Sequence, residues 1–186
     1  MSSSSLTYIS INFFTPGFFG ETVKTNAFTY LANQTVSFAA IAPQPRAATV
    51  GLAATASSGL PVSFRVVSGP GLIADGTNLT FSAWGLVAIA ASQAGDALHG
   101  AAAEVVNHVY VYTVSPDSGP FAGGNAVSIN SGFSGMITNV QLGGVAAAIQ
   151  GIGTNGLTLV MPAAGSTGLK DIVVQTSEHG DFTLAG

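Results

Sequence analysis

Cysteine is absent from this chain of 186 residues, and charged side chains are scarce. Without cysteine there is no disulfide, no thiolate metal site and no cysteine nucleophile. Aspartate, glutamate, lysine and arginine make up 6% of the residues, where a soluble domain usually has about 25%. The surface is expected to be polar through serine, threonine, asparagine and glycine and not through charges. Such a charge-poor surface favours association between copies of the protein.

The few basic residues exclude one class of partner. They are scattered along the sequence at Lys24, Arg46, Arg65 and Lys170. Binding to the phosphates of a nucleic acid requires clustered basic residues, so nucleic acid is not an expected partner. No run of about 18 apolar residues occurs, so membrane insertion is not expected either. Residues 1–5 show no signal peptide, yet the composition is typical of extracellular, cell-surface or virion-surface proteins.

Motifs for catalysis, metals and cofactors are also missing. The histidines His99, His108 and His179 lie far apart and have no metal-ligand spacing. No Gly-x-Ser-x-Gly sequence occurs, and the glycine-rich stretches lack the lysine of a phosphate loop. Residues 75–78, Asp-Gly-Thr-Asn, lack the acidic positions of a calcium loop and predict a turn. We therefore expect no enzyme activity, no cofactor and no metal.

What the sequence does contain is the pattern of β-strands. Short alternating apolar runs recur about every ten residues between turn residues, which predicts an all-β fold of sandwich type. Residues 97–104, rich in alanine, are expected to be a loop with one helical turn. Asn155-Gly156 between apolar runs predicts a hairpin. The predicted strands are 35–41, 49–55, 61–67, 78–82, 86–92, 105–113, 126–130, 137–142, 145–150, 157–161, 171–176 and 181–184.

Two stretches carry resemblances to known families. Residues 58–62, Ser-Gly-Leu-Pro-Val, and residues 92–95, Ser-Gln-Ala-Gly, resemble bacterial immunoglobulin-like repeats. Residues 114–129, with the Gly-Gly at 143–144 and Val-Met-Pro at 160–162, resemble an IPT/TIG domain. The resemblances imply two tandem immunoglobulin-like β-sandwiches without a catalytic centre, of the kind found in spacers, adhesins and surface fibres. The implied division is an N-terminal extension at 1–33, a bacterial immunoglobulin-like sandwich at 34–113 and an IPT/TIG sandwich at 114–186.

The N-terminal extension matches neither family and holds five of the eleven phenylalanines. A segment of this length cannot bury so many rings by itself, so they must pack on something else. It either adds a strand to the first sandwich of its own chain or donates one to a neighbouring copy. The single tryptophan is expected at a tip or an edge, folded over the sandwich end or exposed as a contact anchor. The candidate assembly contacts are Leu6, Tyr8, Ile11, Phe13, Phe14, Phe18, Phe19 and Trp84.

The sequence favours a non-catalytic structural or assembly subunit of an extracellular filament, surface layer or virion appendage. Its expected partners are copies of itself or other surface subunits, joined through β-edge and apolar contacts. The alternative is an adhesin module that binds carbohydrate or a host surface. Outside the N-terminal extension, that alternative has only Trp84, Tyr110 and Tyr112 as prominent aromatic candidates.

Overall fold

The computed structural model describes residues 29–133, 137–177 and 180–185. Strands dominate this part of the chain and no helix occurs in it, so the all-β prediction is confirmed. The strands are β1 (Val36–Phe38), β2 (Gln44–Pro45), β3 (Thr49–Gly51), β4 (Ala54–Ala56), β5 (Ser63–Ser68), β6 (Gly71–Ala74), β7 (Asn78–Phe81), β8 (Gly85–Ser92), β9 (Val105–Ser115), β10 (Ala126–Asn130), β11 (Ile137–Leu142), β12 (Val145–Ala146), β13 (Ala148–Gly153), β14 (Gly156–Val160), β15 (Ile172–Thr176) and β16 (Gly180–Leu184).

The first half of the described chain packs two sheets around one core. A three-stranded antiparallel sheet, in the order β3-β7-β6, lies over the β5-β8-β9 part of a seven-stranded sheet. β1 and β4 form a small antiparallel pair, and β2 lies parallel to β9. The apolar side chains that alternate along these strands meet between the sheets, because one face of each strand is turned inward. The buried cluster contains Leu52, Leu79, Phe81, Val87, Ile89, Val109 and Val111.

The second half is a second sandwich with its own core. A four-stranded antiparallel sheet, β12-β11-β15-β16, faces the β13-β14-β10 part of the seven-stranded sheet. The predicted hairpin is present as β13–β14, with Thr154 and Asn155 in the turn and Gly156 already in β14, so the turn lies one residue earlier than predicted. The buried cluster contains Tyr112, Val127, Ile129, Val140, Ala147, Leu157, Leu159, Met161, Ile172, Val174 and Leu184.

The strand β9 belongs to both halves. It pairs with β8 from Val105 to Val111 and with β10 from Thr113 to Ser115. Val111 lies in the first core and Tyr112 in the second. The boundary predicted between residues 113 and 114 therefore falls inside a strand, and the division into domains stays a prediction. The connection between the two halves is thus hydrogen-bonded sheet.

The structure differs from the predicted strands in a few places. β2 and β6 were not predicted, and the runs 49–55 and 145–150 are each two strands. β6 was missed because a Ser-Gly-Pro turn precedes its four residues. Asp75 and Gly76, with φ of 50° and 75°, join it tightly to β7, so residues 75–78 are a hairpin turn and the start of a strand.

Residues 97–104 form a loop without the helical turn that was predicted. Asp96 Oδ1 accepts the backbone N–H groups of Leu98 and His99, each at 2.8 Å. The Leu98 carbonyl accepts the N–H of Ala32 at 2.7 Å. Because side-chain capping and a distant bridge use these backbone groups, the alanine-rich segment does not close a helical turn.

Candidate assembly edges and groove

The predicted assembly contacts fall into two groups. Leu6, Tyr8, Ile11, Phe13, Phe14, Phe18 and Phe19 lie outside the described residues. Trp84 lies in the bend between β7 and β8 and is half-buried. It precedes Gly85, which pairs with Val111 near the middle of β9, so Trp84 lies where the two cores meet. Its role as a contact anchor stays a prediction.

The outer strands of the three larger sheets are unusually poor in charge. Within the described part of the chain these outer strands are β5 and β13, β12 and β16, and β3 and β6. Arg65 lies on β5 and Asp181 on β16, whereas β3, β6, β12 and β13 carry no charged residue. Natural sheets usually protect such edges with charges, proline or bulges, because unpaired backbone groups invite another strand.

Several of these edges also expose apolar side chains. Leu72 on β6 is 62% exposed, Ile152 on β13 is 54% exposed and Val145 on β12 is 46% exposed. On β13 a bulge between Ile149 and Gly151 interrupts the pairing with β14, and regular pairing resumes at Gly151 and continues to Gly153. The outer side of β13 beyond the bulge is therefore regular, uncharged and partly apolar.

The junction between the two cores is tightly packed on both sides of β9. The rings of Tyr110, Phe133 and Phe182 form a cluster with centroid distances of 4.8–5.3 Å. Gly132 touches the start of β8 so closely that an added Cβ would lie 2.5 Å from the Leu86 nitrogen. Aromatic packing and a backbone contact thus fix the second core against the first.

The N-terminal segment joins the fold through a polar cluster. Buried Gln34 donates from Nε2 to Gln93 Oε1 and to the Gly100 carbonyl, both at 2.6 Å, and accepts from the Ser58 hydroxyl. An isolated parallel bridge links Ala32 to His99. These bonds satisfy the buried amides, so the chain is held firmly from residue 32 onward.

Asp96 and His99 stand beside this attachment point. His99 Nδ1 lies 2.9 Å from Asp96 Oδ1. The backbone N–H of Leu98 and the His99 side chain lower the pKa of the Asp96 carboxyl below its usual 3.8. Hydrogen bonds to the ionised form explain the direction of that shift.

A groove of about 730 Å³ lies beside the end of β9. Its walls are residues 45–47, the loop 116–121, and the loop that follows β14. Core residues such as Val127 and Ile172 form an apolar floor. Burial, and then the nearby Asp171 carboxylate, raise the pKa of the Tyr112 hydroxyl above 10.0 at this floor. The polar lining residues are Arg46, Thr113, Asp117, Ser118, Asn125, Ser166, Thr167 and Lys170.

The described residues contain neither a metal-binding cluster nor a membrane-spanning helix. Among the described residues, no three histidine or acidic side chains lie close enough to hold a metal. None of the described segments forms a helix long and apolar enough to cross a bilayer. The expectations of no metal and no cofactor stay predictions for the whole chain.

Sequence reasoning did not find the groove or the unprotected edges. The groove brings together segments that lie about 40 residues or more apart in sequence, and no local pattern indicates that they meet. The charge-free runs at 71–74 and 148–153 were visible, but which strands lie at an edge depends on sheet order.

Comparison with known proteins identifies one part of the chain. The family model described as IPT/TIG domain matches residues 110–185, which confirms the resemblance seen in the second half. The resemblance of residues 34–113 to bacterial immunoglobulin-like repeats stays a prediction. No curated protein sequence matches this chain.

A solved structure of a Bacteroides ovatus protein shows a remote similarity. It is SGBP-B of a mixed-linkage glucan utilization locus, in complex with a mixed-linkage heptasaccharide. The identity is 13% and the TM-score 0.28, over 80% of this chain and 42% of that one. This chain thus spans less than half of that protein, and so low a TM-score transfers neither a ligand nor a function.

Proposed function

We propose that this chain, whose residues 110–185 form an IPT/TIG domain, is a non-catalytic structural subunit of an extracellular assembly. Copies of the chain, or other surface subunits, associate through β-edges and apolar side chains to build a filament, a surface layer or a virion appendage. One observation carries this proposal, namely the uncharged and partly apolar outer edge of β13 on the largest sheet.

The geometry of β13 suits edge pairing. Beyond the bulge, Gly151–Gly153 extend over about 10 Å in regular pairing with β14, and their outward backbone groups are the kind that accept another strand. Ile152 is 54% exposed on it, so an added strand would bury an apolar side chain as well as pair the backbone. The hairpin partner β14 is paired on both sides and continues inward to β10, which makes β13 a firm template.

The N-terminal extension supplies the natural connector in this proposal. Its aromatic residues need a surface on which to pack, and residues 29–33 are exposed on the outside of the first sandwich. A segment that leaves the fold at this point and pairs with the edge of another copy would join subunits in one direction. Head-to-tail joining of this kind generates filaments when the rotation does not close.

Ile152→Lys tests the edge directly. A lysine on β13 places a charge where an incoming strand must lie, which is how natural edges resist pairing. We expect the full chain to form oligomers or filaments in light scattering and negative-stain microscopy, and Ile152→Lys to be monomeric. Val106→Lys is the matched control, because Val106 is 42% exposed on β9, where it pairs with Ala90 of β8 and lies on a different strand from the β13 edge. A monomeric natural chain, or equal loss of assembly in both variants, would contradict the proposal.

Removal of residues 1–28 separates the connector from the template. The shortened chain keeps the Ala32 bridge and the Gln34 cluster, so the described fold should remain intact by circular dichroism. We expect it to be monomeric alone but to bind and terminate assemblies of the full chain, because it retains the β13 edge. Unchanged assembly after this removal would contradict the role of the extension as the connector.

A further inference from the structure

We propose that the groove beside β9 is a binding site for an oligosaccharide that carries carboxylate groups. This role is separate from assembly, because the groove and the β13 edge lie on different elements. It rests on the size of the groove, its charge and the chemistry of its rim.

The size and position of the groove suit a small polar chain. Its volume of about 730 Å³ falls within the range of about 300–1,000 Å³ that ligand sites occupy. Residues 45–47 of the first half and the loops 116–121 and 162–170 of the second half form its walls. Ligand sites occur preferentially at such junctions, where two packed units leave a cleft.

Two of the four basic residues of the chain line the groove. The chain has four basic residues and a net charge of −4. Arg65 forms an ion pair with Glu104 at 2.7 Å, whereas Arg46 and Lys170 both line the groove. Among the described lining residues, Asp117 is the single carboxylate that accompanies them, and Asp171 lies near the floor beside Tyr112. Two cations against one carboxylate in the lining, on an acidic and charge-poor protein, favour an anionic ligand.

Both cations are positioned by neutral groups of the protein. Arg46 Nε donates to the Ser82 carbonyl at 3.1 Å, and its backbone N–H donates to the Tyr112 carbonyl at 2.9 Å. Lys170 Nζ donates to the Ser166 hydroxyl at 2.7 Å. These partners are uncharged, so none of these hydrogen bonds is an ion pair that would compete with a ligand carboxylate.

The rim favours a sugar over an acidic peptide. The ring of Phe121 is 57% exposed beside the groove, which offers a flat apolar face to sugar C–H groups. Ser118, Asn125 and Thr167 supply neutral hydroxyl and amide groups that hydrogen-bond to sugar hydroxyls. Loops form most of the walls, so the groove lacks the long free strand edge on which extended peptides are bound.

The test uses trigalacturonate as the probe, with neutral maltotriose and hexaglutamate as comparison ligands. Binding to the full chain is measured by isothermal titration at about 0.15 M salt. We expect trigalacturonate to bind and both comparison ligands to bind at least about tenfold more weakly, the loss that one charge-assisted contact accounts for. Equal affinity for maltotriose would overturn the anionic assignment, and tighter binding of hexaglutamate would assign the groove to acidic peptides.

Matched variants locate the site. Lys170→Met and Arg65→Met each remove one positive charge, but only Lys170 lines the groove. We expect Lys170→Met to weaken trigalacturonate binding about tenfold and Arg65→Met to leave it unchanged. Phe121→Ala, at an exposed position that folding does not require, should also weaken it. Equal weakening by Lys170→Met and Arg65→Met would mean non-specific attraction and would overturn the proposal.

Discussion

Gly132→Ala is the sharpest single test of the packed junction between the two cores. A Cβ on residue 132 would lie 2.5 Å from the Leu86 nitrogen and 2.8 Å from the Gly85 carbonyl carbon. Both neighbours are backbone atoms at the start of β8, which is held by its pairing with β9. The clash cannot be relieved by rotating a side chain, so the loop after β10 must move away from the first core.

The expected cost is that of overpacking a well-packed site, about 1–3 kcal/mol. For a chain of this size each kcal/mol lowers the melting temperature by about 2–4 °C, so a fall of about 2–12 °C is expected. Gly51→Ala is the matched control, since a Cβ there meets nothing within 4 Å. Where the backbone is compatible, that exchange stabilises by about 0.4–1 kcal/mol.

Calorimetry measures the melting temperatures, and the fluorescence of the single tryptophan reports on the junction. Trp84 directly precedes Gly85, so displacement of the loop should change its emission in Gly132→Ala and leave it unchanged in Gly51→Ala. If Gly132→Ala melts as high as Gly51→Ala with the same emission, the close approach of the two halves is refuted.

Three further predictions concern the interior. Leu159→Ala, at a fully buried position of the second core, should lower the free energy of unfolding by about 2–5 kcal/mol, and a loss below 1 kcal/mol in urea denaturation would contradict its place in the core. Gln34→Met should cost about 1–3 kcal/mol because buried Gln93 loses a hydrogen-bond donor, and the double variant with Gln93→Met should recover part of that loss. Burial, and then Asp171, raise the pKa of Tyr112 above 10.0. Above about pH 10 the unfolded chain therefore releases the Tyr112 proton while the folded chain still holds it. The free energy of unfolding falls as the pH rises through this range. Tyr112→Phe should therefore lose less stability than the natural chain between about pH 9 and about pH 11; equal losses in urea unfolding would contradict this.

Local patterns in the sequence predicted most of the strands. The alternation of Val62, Phe64 and Val66 with polar residues indicated a half-buried strand, and the structure has β5 there. Asn155-Gly156 indicated the β13–β14 hairpin because only a tight turn fits between the two apolar runs. Such features depend on neighbours in sequence and can be read without knowing the tertiary structure.

Long-range features could not be predicted in the same way. β2 has only two residues and exists because Gln44 and Pro45 meet Val111 and Tyr112 from a distant part of the chain. The groove likewise depends on how Arg46 and Lys170 are brought together by loops without regular structure. Their positions follow from packing of the two cores, which no local spacing encodes.

The shared strand β9 also affects how this protein can be divided and recombined. An immunoglobulin-like domain is usually treated as a separable module. Here the IPT/TIG match begins at residue 110, inside a strand whose first part pairs with β8. If the chain were divided after β9, β10 would lose its pairing with β9. If it were divided before β9, β8 would lose its pairing with β9. The two sandwiches therefore form one indivisible piece for protein engineering and for gene shuffling, and a graft of either half into another protein must bring its own replacement for β9.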